Sequence, residues 1–339
     1  MDISGVKVHS WISTFSLAKS ATRSATRSAS DVNHNLTDVT KVVFTRCPYM
    51  KIFSAFVDKV FPMSMPRINF KIFHDSHLAN RSSNGSSPRD LYRISSLSLL
   101  NISFSSTLLY AAGAYSDIRL VDPHFRSPSS FCDVCHVNYD VIGKVETFND
   151  DVEYFLKFIN QTKVFESMGD VDSNNEKRTI TDVVFRTFKD FRLMKTSGKR
   201  RTRGIYSCRF SDAILRRVWK LFQIRGYLSD SVPFPLKDQG ESCSIHESQF
   251  LTLAMKALAR SGSREKRKSQ RHKYFLQAFR SVPLDVLHRY RESVQRDCHL
   301  FGYDCNPPDI FQGRRPGDEE ENIFSDIKYL FREKIRTIQ

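Results

Sequence analysis

What is missing narrows this sequence first. The uncharged run at 94–114, "ISSLSLLNISFSSTLLYAAGA", holds eight Ser, Thr or Asn residues, so no membrane span is expected there. The opening "MDISGVKVHSWIST" lacks the apolar centre of a secretory leader, and none is expected. "CDVC" at 132–135 has His136 beside it but no second Cys-x-x-Cys and no His-x-x-x-His, so a zinc site is incomplete and no metal is expected. A redox pair or disulfide bonding remain open for those two thiols. No nucleic-acid recognition motif, long repeat or clear domain linker is present.

What is present describes a folded, basic chain. Its 339 residues are 40% hydrophobic and 26% charged, enough apolar surface for one large core or two small ones. The 52 Lys+Arg against 37 Asp+Glu give +15, which points to an anionic partner: nucleic acid, membrane surface, phosphorylated cofactor or acidic polysaccharide. The seven cysteines are an odd number, so at least one does not pair within the chain. Five Asn-x-Ser/Thr sequons, starting at Asn35, Asn80, Asn84, Asn101 and Asn160, lean toward a secretory compartment.

Periodicity places the elements. Residues 12–38 are polar, with the short repeat "SATRSATRSAS", and read as a loop. "KVVFT" at 41–45 reads as a buried inner strand of a parallel sheet. Pro48 suits a first helical turn, and Phe53, Phe56, Val57 and Val60 then share one face up to Pro62. A helix follows Ser103 as its cap. "VNYDVIGKV" reads as a second strand, and "FNDDVEYFLKFIN" as a helix with acidic residues in its first turn. Ser211 is expected to cap a helix with Ile214, Leu215, Val218 and Phe222 on its stripe and Gly226 at its end. "KTSGKRRTRG" at 195–204 and "SGSREKRKSQRHK" at 261–273 read as basic loops. Helices are expected near 284–297 and around Ile323, Ile327 and Phe331. Strands alternating with helices make this an α/β fold.

The stretch "RCPYMKIFSAFVDK" joins a strand to a helix, an arrangement whose unpaired N–H groups and dipole favour an anion. Arg46 adds a bidentate fork and Ser54 a hydroxyl. This stretch resembles the 3′-phosphate-binding motif of Golgi carbohydrate sulfotransferases, the chondroitin and dermatan 4-sulfotransferases and the HNK-1 sulfotransferase. The matching residues are Arg46, Pro48, Lys51, Ser54, Ala55, Asp58 and Lys59, with Lys51 where that family usually carries Arg. A second similar block is "DPHFRSPSSFCDVCHVNYDVIGKVETFNDD" at 122–151, which contains Asp-x-His-aromatic and Tyr-Asp-x-Ile-Gly-Lys. A third is "FGYD" at 301–304. Residues 160–280 match poorly and are expected to hold loops particular to this lineage around the helix at 211–226.

The resemblance implies a P-loop-like sulfotransferase fold: a central parallel sheet flanked by helices, with polar loop insertions. It implies sulfate transfer from 3′-phosphoadenosine 5′-phosphosulfate (PAPS) to a sugar hydroxyl of a glycan or proteoglycan, in the Golgi lumen or at its membrane, without metal. The implied cofactor-binding residues are Lys7, Arg46, Lys51 and Ser54. His124, on the Asp-x-His block, is the implied base, while Asp140 and Glu146 read equally as ion partners of Lys144. In that oxidising compartment disulfide bonding becomes the favoured state of the cysteines, with Cys298 and Cys305 a second pair. The implied domains are 1–40, a poorly ordered segment with a remnant 5′-phosphosulfate loop; 41–311, the sulfotransferase domain; and 312–339, an acidic segment and helix. "VKVHSWIS" keeps Lys7, Val8 and Trp11 of the 5′ loop but not its glycine, and no upstream anchor is seen. An N-terminally truncated or degenerate member, slow in transfer, is therefore expected. Two other classes stay open: a catalytically inactive glycan-binding relative, and a basic nucleic-acid-binding protein.

Overall fold

The computed structural model describes residues 40–81, 102–113, 120–132, 134, 137–167, 171–196 and 208–312. Lys7, the 12–38 segment, Cys135, residues 197–204 and the acidic run at 318–321 lie outside the described residues. In chain order the elements are β1 (Val42–Thr45), α1 (Pro48–Ala55), a π-helical turn (Phe56–Val60), α2 (Pro66–Arg81), α3 (Phe104–Ala111), α4 (Pro128–Phe131), β2 (Val141–Lys144), α5 (Phe148–Phe158), α6 (Thr162–Ser167), α7 (Val171–Thr196), α8 (Cys208–Ile224), α9 (Gln239–Ser244), α10 (Glu247–Ala259), α11 (Arg264–Arg280), α12 (Leu284–Phe301) and α13 (Pro308–Phe311). They fall into two compact units. The first comprises Met1–Arg46 with Pro128–Phe165, the second Cys47–Ser127 with Glu166–Gln339.

The first unit is built on a parallel pair. β1 and β2 align Val42 with Val141 and Thr45 with Lys144. The sequence places "KVVFT" inside a sheet; among the described residues the sheet has these two strands only, so β1 has one paired edge. Two carboxylates fix the pair. Asp140 accepts the Lys41 N–H at 2.7 Å, ahead of both strands. Asp151, in the first turn of α5, accepts the Lys144 N–H at 2.6 Å and the Thr147 hydroxyl at 2.8 Å, which ties the strand end to the next helix. Gly143 is needed for packing: a Cβ there would lie 2.4 Å from Phe44 Cε1. Without it the Phe44 ring rests over the strand and meets Phe148, ring centroids 5.4 Å apart.

The second unit is helical, with α8 at its centre. Phe210, Ala213, Leu215, Val218, Leu221 and Phe222 of this helix are all buried, and α7, α9 and α11 pack around it. α8 begins a turn earlier than Ser211. Ser211 is buried inside it, and a disulfide joins its first residue, Cys208, to Cys243 of α9. Gly226 ends it at φ 69, where a Cβ would strike the Arg267 carbonyl oxygen at 2.5 Å. Cys298 and Cys305 form the expected bridge across the end of α12, whose last turn is closed by Gly302 at φ 63.

Much of what was expected to be loop is helix. Residues 160–280 hold α6 to α11, of which only α8 was expected. The basic run at 261–273 is the start of α11, capped by Ser263, whose hydroxyl accepts the Lys266 N–H. Its Arg267 is buried: Nε donates to the Gly226 carbonyl at 2.9 Å, Nη1 to Gly262 at 2.7 Å, and Nη2 to Glu176 of α7 at 2.7 Å. That guanidinium is a tertiary clamp, not part of a solvent-facing basic patch. No helix among the described residues is long and apolar enough to cross a membrane.

Candidate functional site

Of the sequence-predicted residues, Arg46 follows β1 as the last residue of the first unit, while Lys51 and Ser54 lie on α1 in the second. α1 forms because Pro48 presets its first turn and because Tyr49, Ile52, Phe53 and Ala55 are buried on one side. Cys47 offers no side-chain cap to its N-terminus. Lys51 and Ser54, three residues apart, share a half-buried stripe opposite that core. Among the described residues no hydrogen bond engages the Ser54 hydroxyl. Lys51 reaches across to the second sequence block, where its ammonium donates to the Arg126 carbonyl.

That second block forms a tight turn. Asp122 Oδ1 accepts the His124 N–H at 3.0 Å and faces His124 Nδ1 at 2.6 Å. Burial alone would raise the Asp122 carboxyl; the side-chain and backbone hydrogen bonds from His124, with Lys59 more distant, outweigh it and hold the group below the ordinary carboxylate value. An ionised carboxylate only accepts, so Nδ1 of His124 is the nitrogen that donates to Asp122, which leaves Nε2 as the ring nitrogen for other partners. The His124 side chain is 20% exposed.

Sequence reasoning did not single out the residues that hold this turn. Tyr110 of α3 accepts the Asp122 N–H on its hydroxyl at 2.9 Å and packs edge-on against Phe125. Lys71 of α2 lies 5.6 Å over the Tyr110 ring and donates to the Leu120 carbonyl. Neither has a local signal, because both act over long sequence separation.

The remaining motif residues frame α1. Asp58, on the π-helical turn, pairs with Arg225 at 2.8 Å and with Lys59 at 3.0 Å. Two aromatic hydroxyls fix the start of the same helix: Tyr49 donates to the carbonyl of Cys305, the residue after the third block, at 2.7 Å, and Tyr290 of α12 donates to the Pro48 carbonyl at 3.0 Å. The first block and the start of the second therefore meet on one eight-residue helix, with Cys305 beside the third block at its start. Asp140 is a backbone anchor in the first unit, and Glu146 is exposed there. Among the described residues no group of three or more His, Cys, Asp or Glu side chains is placed to hold a metal ion.

Comparison with known proteins gives these residues a context. The sequence model of the sulfotransferase family matches residues 2–224. The chain is 26% identical over 174 residues to carbohydrate sulfotransferase 8 of Mus musculus, covering 51% of this chain and 39% of that protein. It is 29% identical over 157 residues to carbohydrate sulfotransferase 9 of Homo sapiens, covering 46% and 33%. With carbohydrate sulfotransferase 11 of Danio rerio the identity is 27% over 134 residues, covering 39% and 36%. The chain thus spans between a third and two fifths of the length of these three relatives. No solved structure matches it.

Proposed function

The chain belongs to the sulfotransferase family, and on that premise we propose that it is a carbohydrate O-sulfotransferase that uses PAPS and acts on a glycan in the Golgi lumen. PAPS supplies an activated sulfuryl group: the bond from sulfur to the bridging phosphate oxygen breaks, a bond to the sugar oxygen forms, and the sugar hydroxyl loses its proton. His124 Nε2 takes that proton, and Asp122 holds the resulting imidazolium in place. Arg46, Lys51 and Ser54 take the 3′-phosphate, in a P-loop-like arrangement within the 41–311 domain. Lys7, outside the described residues, is the candidate cation for the reacting phosphate. The residues present suit an anion: an uncapped helix start, a lysine, and a serine hydroxyl without a partner among the described residues.

The observation that carries this reading is the convergence on α1. The ammonium of Lys51 holds the backbone of the turn that presents Asp122 and His124. A nucleotide-binding helix and a polarised histidine beside it are the two parts that in-line transfer of a charged group needs. "KVHSWIS" around Lys7 has no glycine for close backbone approach, so the expected turnover is slow. The same lack favours the second reading, a glycan-binding relative that transfers nothing. Long incubation of the purified chain with sulfur-labelled PAPS and desulfated chondroitin separates the two. Slow, PAPS-dependent labelling that disappears in His124→Ala supports the enzyme. Labelling unchanged in His124→Ala removes His124 from the chemistry, and no labelling by the unaltered chain leaves the glycan-binding reading.

A further inference from the structure

Between the π-helical turn and helices α7 and α8, the second unit has a cleft whose cavity is about 40 Å³. That volume admits about three waters, or one hydroxymethyl group. Its floor is apolar, with Met63, Phe191 and Phe210 buried. Two charged side chains line it, Arg186 and Asp190, four residues apart on α7. Opposite charges at that spacing can meet on a helix. Here Arg186 turns its Nε to the Asp182 carbonyl at 3.2 Å, and Asp190, half-buried, has no hydrogen bond or ion pair among the described residues. Burial raises the Asp190 carboxyl, against the lowering charges of Lys189 and Arg186. A carboxylate held partly out of water without a partner works against the fold. The backbone beside it is also uncommon: Met63 sits at φ 57, after the π-helical turn Phe56–Val60. Departures of both kinds gather where a ligand is held.

We propose that this cleft holds an uncharged sugar residue of the acceptor, with one sugar hydroxyl between Asp190 and Arg186, and that Asp190 thereby sets acceptor specificity. That the sugar belongs to an acceptor rests on the sulfotransferase reading; that the cleft takes a sugar does not. A carboxylate only accepts and a guanidinium only donates, so a ligand that serves both must do both with one small group. A hydroxyl does: its O–H donates to Asp190 and its oxygen accepts from Arg186. A sugar carboxylate only accepts, so it would serve Arg186 and repel Asp190. The C–H side of a sugar ring suits the apolar floor, as in other small-molecule sites where a few polar groups orient a ligand on apolar walls. Asp58 joins the cleft to the proposed base. It lines the cleft and pairs with Lys59 at 3.0 Å, and the Lys59 ammonium is near enough for its charge to act on Asp122, the partner of His124.

Saturation-transfer NMR of the full chain reads this without turnover. The probes are methyl β-D-glucoside and methyl β-D-galactoside, each beside its uronide, which differs only in carrying a carboxylate for the hydroxymethyl group. At least one neutral glycoside should bind, more tightly than its uronide. Asp190→Asn and Arg186→Met should each weaken it by about fivefold or more, because each removes the charge that strengthens a hydrogen bond. Arg186 is exposed and Asp190 has no partner to lose, so both variants fold. Asp190→Asn should also melt higher at pH 7 while binding sugar less well, a combination that a purely structural aspartate does not give. Three results overturn the proposal: no neutral glycoside binds, the uronide binds as well as its neutral partner, or neither substitution moves the affinity. Calorimetry with 3′-phosphoadenosine 5′-phosphate (PAP) separates this from the enzyme reading. A chain that holds the glycoside through Asp190 but binds no PAP keeps the sugar cleft and removes the transferase. A chain that binds PAP but no glycoside removes the cleft and keeps the nucleotide site.

Discussion

Asp58→Ala separates the frame of the site from its ligand-binding surface. Asp58 belongs to the block that resembles a phosphate-binding motif, yet its carboxylate is spent on cations of the protein itself: Arg225 at 2.8 Å and Lys59 at 3.0 Å, with side-chain exposures of 24% for Asp58 and 21% for Arg225. Breaking a buried pair costs about 3–5 kcal/mol because the remaining charge stays in poor solvent, whereas an exposed pair is worth about 0–1 kcal/mol. With both side chains about four-fifths withdrawn from water, the expected loss is about 2–3 kcal/mol. At about 2 °C per kcal/mol for a chain of this size, the melting temperature falls by roughly 4–6 °C. Urea unfolding measures the loss directly, and calorimetry with PAP should find affinity unchanged in the folded variant. The double change Asp58→Leu with Arg225→Met should recover most of the stability, since it removes the stranded charge. The pH dependence has a definite sign. Burial pushes the Asp58 carboxyl up, but Arg225 and then Lys59 bring it below its ordinary value. Its contribution is therefore present above about pH 3.9 and fades as pH falls through the lower native value. A loss under 0.5 kcal/mol, or a tenfold drop in PAP affinity without unfolding, would refute the assignment of Asp58 to the frame.

Three further outcomes follow from individual contacts. Gly143→Ala puts a methyl 2.4 Å from Phe44 Cε1 and should destabilise the chain by about 1–3 kcal/mol in urea, with Phe44→Leu in the same chain relieving part of it. Burial raises the Asp190 carboxyl, so its charged form disfavours the fold; Asp190→Asn should raise the melting temperature at pH 7, and the gain should vanish as the pH is lowered and the native aspartate takes up its proton. The two disulfides close loops of different length, 35 residues for Cys208–Cys243 and 7 for Cys298–Cys305. Loop-closure entropy then predicts losses of about 3.8 and about 2.4 kcal/mol for the paired Cys→Ala variants, to be ranked by urea midpoint.

The sequence was legible where a feature is local. Ser103 does accept the Ser106 N–H at the start of α3, Asp150 and Asp151 do sit in the first turn of α5, and Gly226 does stop α8. That "YDVIGK" lies in or beside the sheet of "KVVFT" was legible too, since a crossover of this length permits a parallel pair; their direct pairing was not. α7 was missed although Ile180, Val183, Val184, Phe188 and Phe191 are all buried at helical spacing, because "SNNEKRT" dilutes its first turns. α11 was missed because its charge suggested a loop. Arg267 is buried only because Gly226, Gly262 and Glu176 arrive from elsewhere in the chain, and no local pattern announces that. The candidate site divides differently: Ser54 was singled out by its place after a strand-to-helix turn and Lys51 and His124 only through the family resemblance, whereas Tyr110, Lys71 and Arg225 take their places from tertiary contacts alone.

Titration calorimetry of PAP into the full chain tests the central claim, that this protein holds the 3′-phosphate of a nucleotide through Arg46 and Ser54. The account predicts saturable binding of one PAP per chain. Arg46→Ala should weaken it by about 1.5–3 kcal/mol, the worth of a hydrogen bond to a charged group, with Ser54→Ala changing it in the same direction and both variants keeping the native melting profile. Absence of saturable binding, or an affinity that neither substitution moves in a folded chain, would contradict it.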